Sequence, residues 1–305
     1  MKAQDSYVVE VLKLVQPFSN QSNKKTVFEI IVAKKNGEKL AVLTAYDFSM
    51  ASIIDMNEID IILVGDSAGM VMLGYPNTRP VDMVEMLLFC RAVSNAASKA
   101  MITVDMPFGS YQNSIENTVS NAVKLVKAGA DSVKIEGGEE ISDRIDALVE
   151  IGIPVMGHIG YKPQTSSMWN SSKAAGKTKV SALKLLNDAK AIEKAGAFSI
   201  VLEMVTAEAA NIITKNLSIP TIGIGSGPVC DGQVLVSYDM LGIYQNMKPR
   251  FVKRYLDLNQ LIASSVQAYS REVKSGIFPR NENAIHMDPK EYEDFLDECG
   301  LRVSK

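Results

Sequence analysis

The chain has 305 residues, with 32 Lys and Arg residues against 35 Asp and Glu residues, and a formal net charge of −3. Hydrophobic residues make up 47% of it and charged residues 22%, values that exclude a disordered, collagen-like or coiled-coil chain. The slightly acidic balance, without a basic block, argues against nucleic acid as a partner. No apolar run approaches the ~18 residues of a membrane-spanning helix, so we expect no membrane association.

The cysteines predict neither a disulfide framework nor a zinc site, because Cys90, Cys230 and Cys299 are far apart and odd in number. The first residues carry Asp5 and Glu10 and lack the apolar core of a secretory signal. We therefore expect the reducing cytoplasm as the compartment.

In chain order, residues 1–27 are predicted to form an arm or short helix outside the main fold. From residue 39 onward, short apolar runs alternate with helical patterns. The eight runs are Leu40–Asp47, Ile59–Asp66, Ala100–Pro107, Ala130–Gly137, Ile153–Gly160, Phe198–Met204, Ile219–Gly225 and Val234–Gly242. Most are continuous rather than alternating, which is typical of strands buried on both faces of a parallel sheet.

Two amphipathic helices are predicted between these runs. Apolar residues recur at helical spacing over residues 115–126, with Ser114 as the N-cap and Gly129 just past the C-terminus. A second apolar stripe covers residues 182–192.

Eight strands with helices between them predict a (β/α)8 TIM barrel. We assign it to residues 28–280 as a single domain, with an N-terminal arm over 1–27 and a C-terminal tail over 281–305. An open doubly wound sheet is the alternative. The weak point is the interval from Gly225 to Val234, which is too short for a crossover helix and leaves room for one misplaced strand.

An internal repeat supports a regular architecture. Residues 127–136 (KAGADSVKIE) are echoed by residues 194–203 (KAGAFSIVLE). The offset is about two strand–helix units, since one βαβ unit takes ~30 residues. It places Glu136 and Glu203 at equivalent strand ends.

Ionisable residues lie at the C-terminal ends of six predicted strands. They are Asp47, Asp66, Asp105, Glu136, His158 and Glu203. Burying an unpaired charge is costly, so a strand interior should not hold such residues. In a barrel the C-terminal ends of all strands converge on one mouth, where active sites form. We therefore predict one shared pocket, while the alternative for each Asp is to cap the helix that follows.

Carboxylates held close together need a compensating cation. Oxygen ligands with a single His nearby favour Mg²⁺ or Mn²⁺ over zinc. Lys134 lies two residues before Glu136 and faces the same side of its strand. Its ammonium would suit an anionic substrate, and the alternative is a buried ion pair with Glu136.

Short motifs lie in order along residues 27–280, most of them at predicted strand ends. They are residues 44–47 (TAYD), 64–67 (VGDS), 105–108 (DMPF), 133–138 (VKIEGG), 157–160 (GHIG), 163–164 (PQ), 202–203 (LE), 222–227 (IGIGSG), 231–236 (DGQVLV) and 272–276 (EVKSG). In this order and spacing the chain resembles the ketopantoate (3-methyl-2-oxobutanoate) hydroxymethyltransferase family, which begins pantothenate biosynthesis.

The resemblance implies a barrel of the phosphoenolpyruvate/pyruvate type and a homodecamer. It also implies roles for individual residues. The implied metal site for Mg²⁺ consists of Asp66, Asp105 and Glu136. The residues implied to bind the 2-oxo acid are Asp66, Ser67, Asp105 and Lys134. The residues implied to serve catalysis are Glu203, Lys134 and His158, with Glu203 as the general base.

The implied reaction passes through an enolate of 3-methyl-2-oxobutanoate that Mg²⁺ stabilises as a Lewis acid. Glu203 would remove the proton beside the ketone, and Lys134 would neutralise the carboxylate or the developing oxyanion. The enolate would attack the one-carbon unit of the co-substrate 5,10-methylenetetrahydrofolate and give 2-dehydropantoate.

The sequence departs from the family pattern in the loop 165–178 and at Tyr238, where the family has a His. Two other functions stay open: a Mg-dependent lyase acting on another 2-oxo acid, and an inactive paralogue acting as an assembly partner. The Lys-Lys-Cys-Gly-His motif of the lyase branch is absent from this sequence, which argues against a lyase. An inactive paralogue should have lost one of four residues that are all present, namely Asp66, Asp105, Lys134 and Glu203.

Overall fold

The computed structural model describes residues 24–165, 174–245 and 249–301. The strands are β1 (Leu40–Thr44), β2 (Ile61–Val64), β3 (Met101–Asp105), β4 (Ser132–Glu136), β5 (Val155–Gly160), β6 (Ser199–Glu203), β7 (Thr221–Ile224) and β8 (Gly232–Leu235). Each pairs in parallel with the next, and β8 pairs with β1 to close the sheet. The predicted (β/α)8 TIM barrel is confirmed, and the open sheet is excluded.

Helices follow most of the strands. They are α1 (Val27–Asn36), α2 (Phe48–Asp55), α3 (Ala68–Val71), α4 (Met83–Ser94), α5 (Ile115–Lys127), α6 (Ser142–Glu150), α7 (Lys179–Lys194), α8 (Ala207–Asn216), α9 (Ser237–Met240), α10 (Leu258–Lys274) and α11 (Pro289–Glu298). Across the described ranges, no helix has the length and apolar character needed to cross a membrane.

The sequence pattern located most of these elements. Helix α5 begins after Ser114, whose hydroxyl accepts the Asn117 N–H at 3.2 Å, and Gly129 beyond its end has a φ of 110°. Helix α7 contains the apolar stripe over 182–192. The internal repeat falls on β4 and β6, so Glu136 and Glu203 do end equivalent strands.

The last strand was predicted wrongly. Strand β8 begins at Gly232, and residues 237–240 of the predicted run form helix α9 instead. Barrel closure explains the shift, because β8 must start opposite Leu40 to pair with β1. The Ser237 N–H then donates to Thr44 Oγ1 at 2.9 Å, which ties the start of α9 to the end of β1.

Helix α1 closes the N-terminal end of the barrel. Its Ile30 and Ala33 pack into the apolar interior that inward residues of the strands form, among them Ile61 and Met101. An ion pair joins α1 to the residue before β8, because Lys34 Nζ lies 2.8 Å from Asp231 Oδ2. The predicted arm lies mostly outside the described residues, and the domain boundaries at 27 and 280 stay predictions.

Asp55 joins the end of α2 to the segment before β3. Its carboxylate accepts the backbone N–H groups of Ser98 at 2.8 Å, Lys99 at 3.0 Å and Ala100 at 2.7 Å. Burial by itself would raise the pKa of Asp55, but these hydrogen bonds outweigh it and hold the pKa below its usual value. The ionised form therefore stabilises the fold.

We predict that Asp55→Ala lowers the free energy of unfolding by about 2–4 kcal/mol, because three N–H groups lose a charged acceptor. Asp55→Asn should lower the free energy of unfolding by a smaller amount. Since the folded pKa is depressed, this contribution is present above the unfolded pKa of ~3.9 and is lost as the pH falls through the folded pKa.

Urea unfolding of wild type and Asp55→Asn between pH 7 and pH 3 checks this, with the exposed Asp146→Asn as the control. The difference between wild type and Asp55→Asn should shrink toward pH 3. A constant difference across that range would contradict the role given to the charge.

Candidate active site

Polar side chains from neighbouring strands meet at the C-terminal mouth of the barrel. Asp66 follows β2, Asp105 ends β3, Lys134 and Glu136 lie on β4, and His158 lies on β5. The most exposed of these five residues, Glu136, is only 5% exposed. Glu203 at the end of β6 is more open, with 17% of its side chain exposed.

Asp105 and Lys134 form a buried ion pair across β3 and β4, where they are register partners. Lys134 Nζ lies 2.9 Å from Asp105 Oδ1, and Asp105 Oδ2 accepts the Asp66 N–H at 3.1 Å. Burial lowers the pKa of Lys134, but the fields of Asp105, Glu136 and Asp66 outweigh it and raise that pKa above its usual value. Lys134 is therefore charged, and its ion-pair partner is Asp105 rather than the alternative Glu136.

His158 links two carboxylates of the mouth. Its Nδ1 lies 3.4 Å from Glu136 Oε1, and its Nε2 lies 3.2 Å from Glu203 Oε2. Burial and the Lys134 charge lower the pKa of His158, yet the contacts with Glu136 and Glu203 outweigh both and raise it to about 9. The imidazolium thus forms an ion pair with Glu203 at the rim, although its buried Nε2 makes no hydrogen bond within the described residues.

The mouth carries an excess of negative charge. Burial, Asp105 and Glu136 raise the pKa of Asp66 well above its usual value, although Lys134 and Gln164 oppose the shift. Asp105 Oδ1 is buried and, beyond the Lys134 ammonium at 2.9 Å, has no hydrogen-bond partner within the described residues. Both observations fit a site that takes up a further cation.

The donor set suits Mg²⁺ bound through two carboxylates. In the described part of the chain, no three His, Cys, Asp or Glu side chains are grouped so that they could share one metal ion. Mg²⁺ commonly keeps several waters and uses one or two protein carboxylates with substrate oxygens, so Asp66 and Asp105 suffice. The oxygens of Glu136 are already engaged: Oε1 lies 3.4 Å from His158 Nδ1, and Oε2 accepts the Gln164 N–H at 3.2 Å.

Sequence reasoning gave no role to two loop residues that support this cluster. Gln164, 1% exposed, donates from Nε2 to Asp66 Oδ2 at 2.9 Å and to Met106 O at 3.0 Å. Its Oε1 accepts the hydroxyl of the buried Tyr111 at 2.9 Å. The signal for Gln164 was its place just after β5 in the 163–164 motif, whereas nothing in the sequence pointed to Tyr111.

Asp47 does not join the pocket, contrary to the prediction. It caps α2, because its Oδ1 accepts the Met50 N–H at 2.9 Å. Ser67 does lie at the mouth, with its Oγ 2.8 Å from Tyr46 Oη. The ring of Tyr238, a departure from the family pattern, packs edge-on against Tyr46 with 5.9 Å between centroids. Of the altered loop 165–178, residues 166–173 lie outside the described residues.

A closed parallel barrel with a buried acid–base cluster at its C-terminal mouth defines a (β/α)8-barrel enzyme. A sequence model of ketopantoate hydroxymethyltransferase matches residues 24–281. The chain belongs to this family, and it is accordingly a hydroxymethyl-transferring enzyme of pantothenate biosynthesis.

Relatives that carry the name of this activity agree with this assignment. The 3-methyl-2-oxobutanoate hydroxymethyltransferase of Nitrosopumilus maritimus is 51% identical over 90% of this chain and 99% of its own length. That of Cenarchaeum symbiosum is also 51% identical, over 84% of this chain and 97% of its own length.

Among solved structures, phosphonopyruvate hydrolase with oxalate and Mg²⁺ has a TM-score of 0.57 at 12% identity, covering 91% of this chain and 96% of that one. For 2,3-dimethylmalate lyase the TM-score is 0.54 at 15% identity, with 90% and 96% covered. At such identities these structures show the fold alone, so they give the lyase alternative no support.

We predict that Gln164→Leu lowers activity about 10- to 100-fold, because Asp66 loses the side-chain amide that orients it, whereas the backbone N–H that Glu136 accepts is kept. The near-isosteric change should leave the fold intact, as circular dichroism would show. The exposed Gln267→Leu is the control. Unchanged activity in Gln164→Leu would mean that the side-chain amide does not position Asp66.

Proposed function

We propose that the protein transfers a hydroxymethyl group from 5,10-methylenetetrahydrofolate to 3-methyl-2-oxobutanoate, in a Mg²⁺-dependent reaction that gives 2-dehydropantoate. The observation that carries the proposal is the two-part cluster at the mouth. One part, Asp66, Asp105 and Lys134, suits a chelating 2-oxo acid. The other places the carboxylate of Glu203 beside the imidazolium of His158.

Asp66 and Asp105 would hold Mg²⁺, and Glu136 would stay next to them as an outer partner. When bound, the ion would supply Lewis-acid stabilisation of the charge that develops on the ketone oxygen. The surplus carboxylate charge around Asp66 supports this assignment.

Lys134 and Ser67 would bind the substrate carboxylate at the same mouth. Lys134 remains charged although it is buried, so it would neutralise negative charge without the reorganisation that water needs. The Ser67 hydroxyl, positioned by Tyr46, can donate to a carboxylate oxygen.

Glu203 would take the proton from the carbon beside the ketone. It is the most exposed acid of the cluster and can approach a substrate bound in the mouth. His158 would orient its carboxylate through the 3.2 Å contact. The carbon left behind then attacks the methylene carbon of the co-substrate. Both C–N bonds of that methylene group break, the substrate proton and a water proton end on the two folate nitrogens, and water supplies the hydroxyl group in the net reaction.

We also propose a homodecamer in the cytoplasm. Helix α10 supports an oligomer, because it buries no residue and exposes an apolar stripe with Leu261, Ile262, Val266 and Tyr269. The free thiols of Cys90, Cys230 and Cys299 fit a reducing compartment.

Glu203→Gln should lower formation of 2-dehydropantoate by about 10³-fold or more, because the amide cannot accept the proton. Exchange of the proton beside the ketone, followed by NMR in D₂O, should fall with it. The measurement compares wild type, Glu203→Gln and the exposed Glu208→Gln, each with and without Mg²⁺.

The pair of readouts separates the possible failures. Exchange without product in wild type would mean that proton abstraction survives and the folate half-reaction is absent. Neither product nor exchange in wild type would overturn the proposed reaction for this substrate. Full activity in Glu203→Gln would remove Glu203 as the base.

Mg²⁺ and 3-methyl-2-oxobutanoate together should raise the Tm of wild type, because ligands that bind only the folded state stabilise it. Asp66→Asn should abolish the rise while keeping the ion pair of Asp105 and Lys134. A thermal-shift assay compares each variant with its own ligand-free sample. An undiminished rise in Asp66→Asn would contradict its role as a metal ligand.

A further inference from the structure

A cavity of about 410 Å³ lies just outside the barrel mouth, between the ends of β4 and β5 and the start of α7. Its wall includes Gly137, Ile159 and Gly160 on the barrel side. On the helix side the wall includes Lys177 and Lys184. The proposed function uses none of these residues.

The cavity begins where the catalytic cluster ends. Gly137 directly follows Glu136, and Ile159 directly follows His158. Successive side chains of a strand point to opposite faces, so Ile159 points outward while His158 points into the mouth. A ligand that occupied both places would be elongated and would cross the rim at β5.

Among the residues that the structure describes, one cation of the cavity has no partner. Lys162 Nζ lies 3.1 Å from Glu140 Oε1, and Lys184 Nζ lies 2.8 Å from Asp188 Oδ2. Asp188 Oδ1 also accepts the Glu139 N–H, so this carboxylate is fully engaged. Within the described residues, Lys177 lines the cavity and makes no hydrogen bond or ion pair.

The glycines of the wall are explained by packing and do not by themselves indicate a ligand. A Cβ on Gly138 would lie 2.3 Å from the Asp188 carboxyl carbon, and one on Gly160 would lie 2.2 Å from Glu203 O. The case for a ligand therefore depends on the cavity, its place beside the mouth and the unpaired ammonium of Lys177.

We propose that this cavity binds the glutamate end of the folate co-substrate, with Lys177 as the partner of its carboxylate; the inference rests on the proposed function. The reactive carbon of that co-substrate lies between a neutral pteridine and an anionic glutamate, so both ends must extend from the mouth. A pteridine offers N–H donors that need an acceptor, and the Asp188 carboxylate is already engaged by Lys184 and the Glu139 N–H. The free ammonium suits the glutamate instead.

Binding of two product analogues tests this without turnover. Tetrahydrofolate carries the glutamate, whereas the simple amide of tetrahydropteroate carries no carboxylate. Lys177→Gln should weaken tetrahydrofolate binding about five-fold, as expected for an exposed ion pair, and leave binding of the tetrahydropteroate amide unchanged. Lys177→Arg should keep most of the affinity, and added salt should narrow the difference between wild type and Lys177→Gln. Lys179→Gln, two residues further along the chain and outside the lining of the cavity, is the matched control.

Steady-state kinetics give a second readout. In Lys177→Gln the KM for the methylene co-substrate should rise about five-fold, while proton exchange of the 2-oxo acid stays at the wild-type rate. Equal effects on both analogues, or no effect on either, would overturn the assignment of the cavity. If wild type makes no 2-dehydropantoate, the proposed function itself fails; if it does and Lys177→Gln behaves as wild type, the cavity assignment alone fails.

Discussion

The cost of burying charge governs the barrel mouth. Removing Lys134 and Asp105 from water costs several kcal/mol for each ion, and only close pairing with further hydrogen bonds offsets that cost. Parallel register makes the pair possible, because these residues lie opposite each other on β3 and β4. The remaining carboxylates are then arranged around a fixed positive charge, which leaves a local surplus of negative charge at Asp66.

Strands and loops contribute differently to the site. The strands place Lys134, Glu136 and His158 on a rigid base, whereas loop residues complete their hydrogen bonds. The side-chain amide of Gln164 contacts both Asp66 and the backbone after β3, and its backbone N–H donates to Glu136. Such a layout keeps the acids oriented while the mouth stays open at Glu203, the point where a proton would be exchanged.

The same barrel serves enzymes with other chemistry. Phosphonopyruvate hydrolase and 2,3-dimethylmalate lyase share the fold at 12% and 15% identity. A fold of this kind does not fix the reaction, because the side chains at the strand ends and the loops decide it. For this chain the family assignment comes from relatives at about half identity along most of its length. The cavity beside β5 would allow selection of a second substrate by residues outside the catalytic cluster.

The sequence alone determined the barrel, its repeat and the strand ends that carry the acids, because continuous apolar runs and their spacing depend on local chemistry. The tertiary structure decided the features that depend on contacts between residues far apart in the chain. Strand β8 begins at Gly232 because it must pair in register with β1. Asp47 caps a helix because its carboxylate lies beside the Met50 N–H. Lys134 pairs with Asp105 because the two residues lie on neighbouring strands. Gln164 acquired its role in the same way, since a loop amide becomes a positioning group only when folding brings it to Asp66.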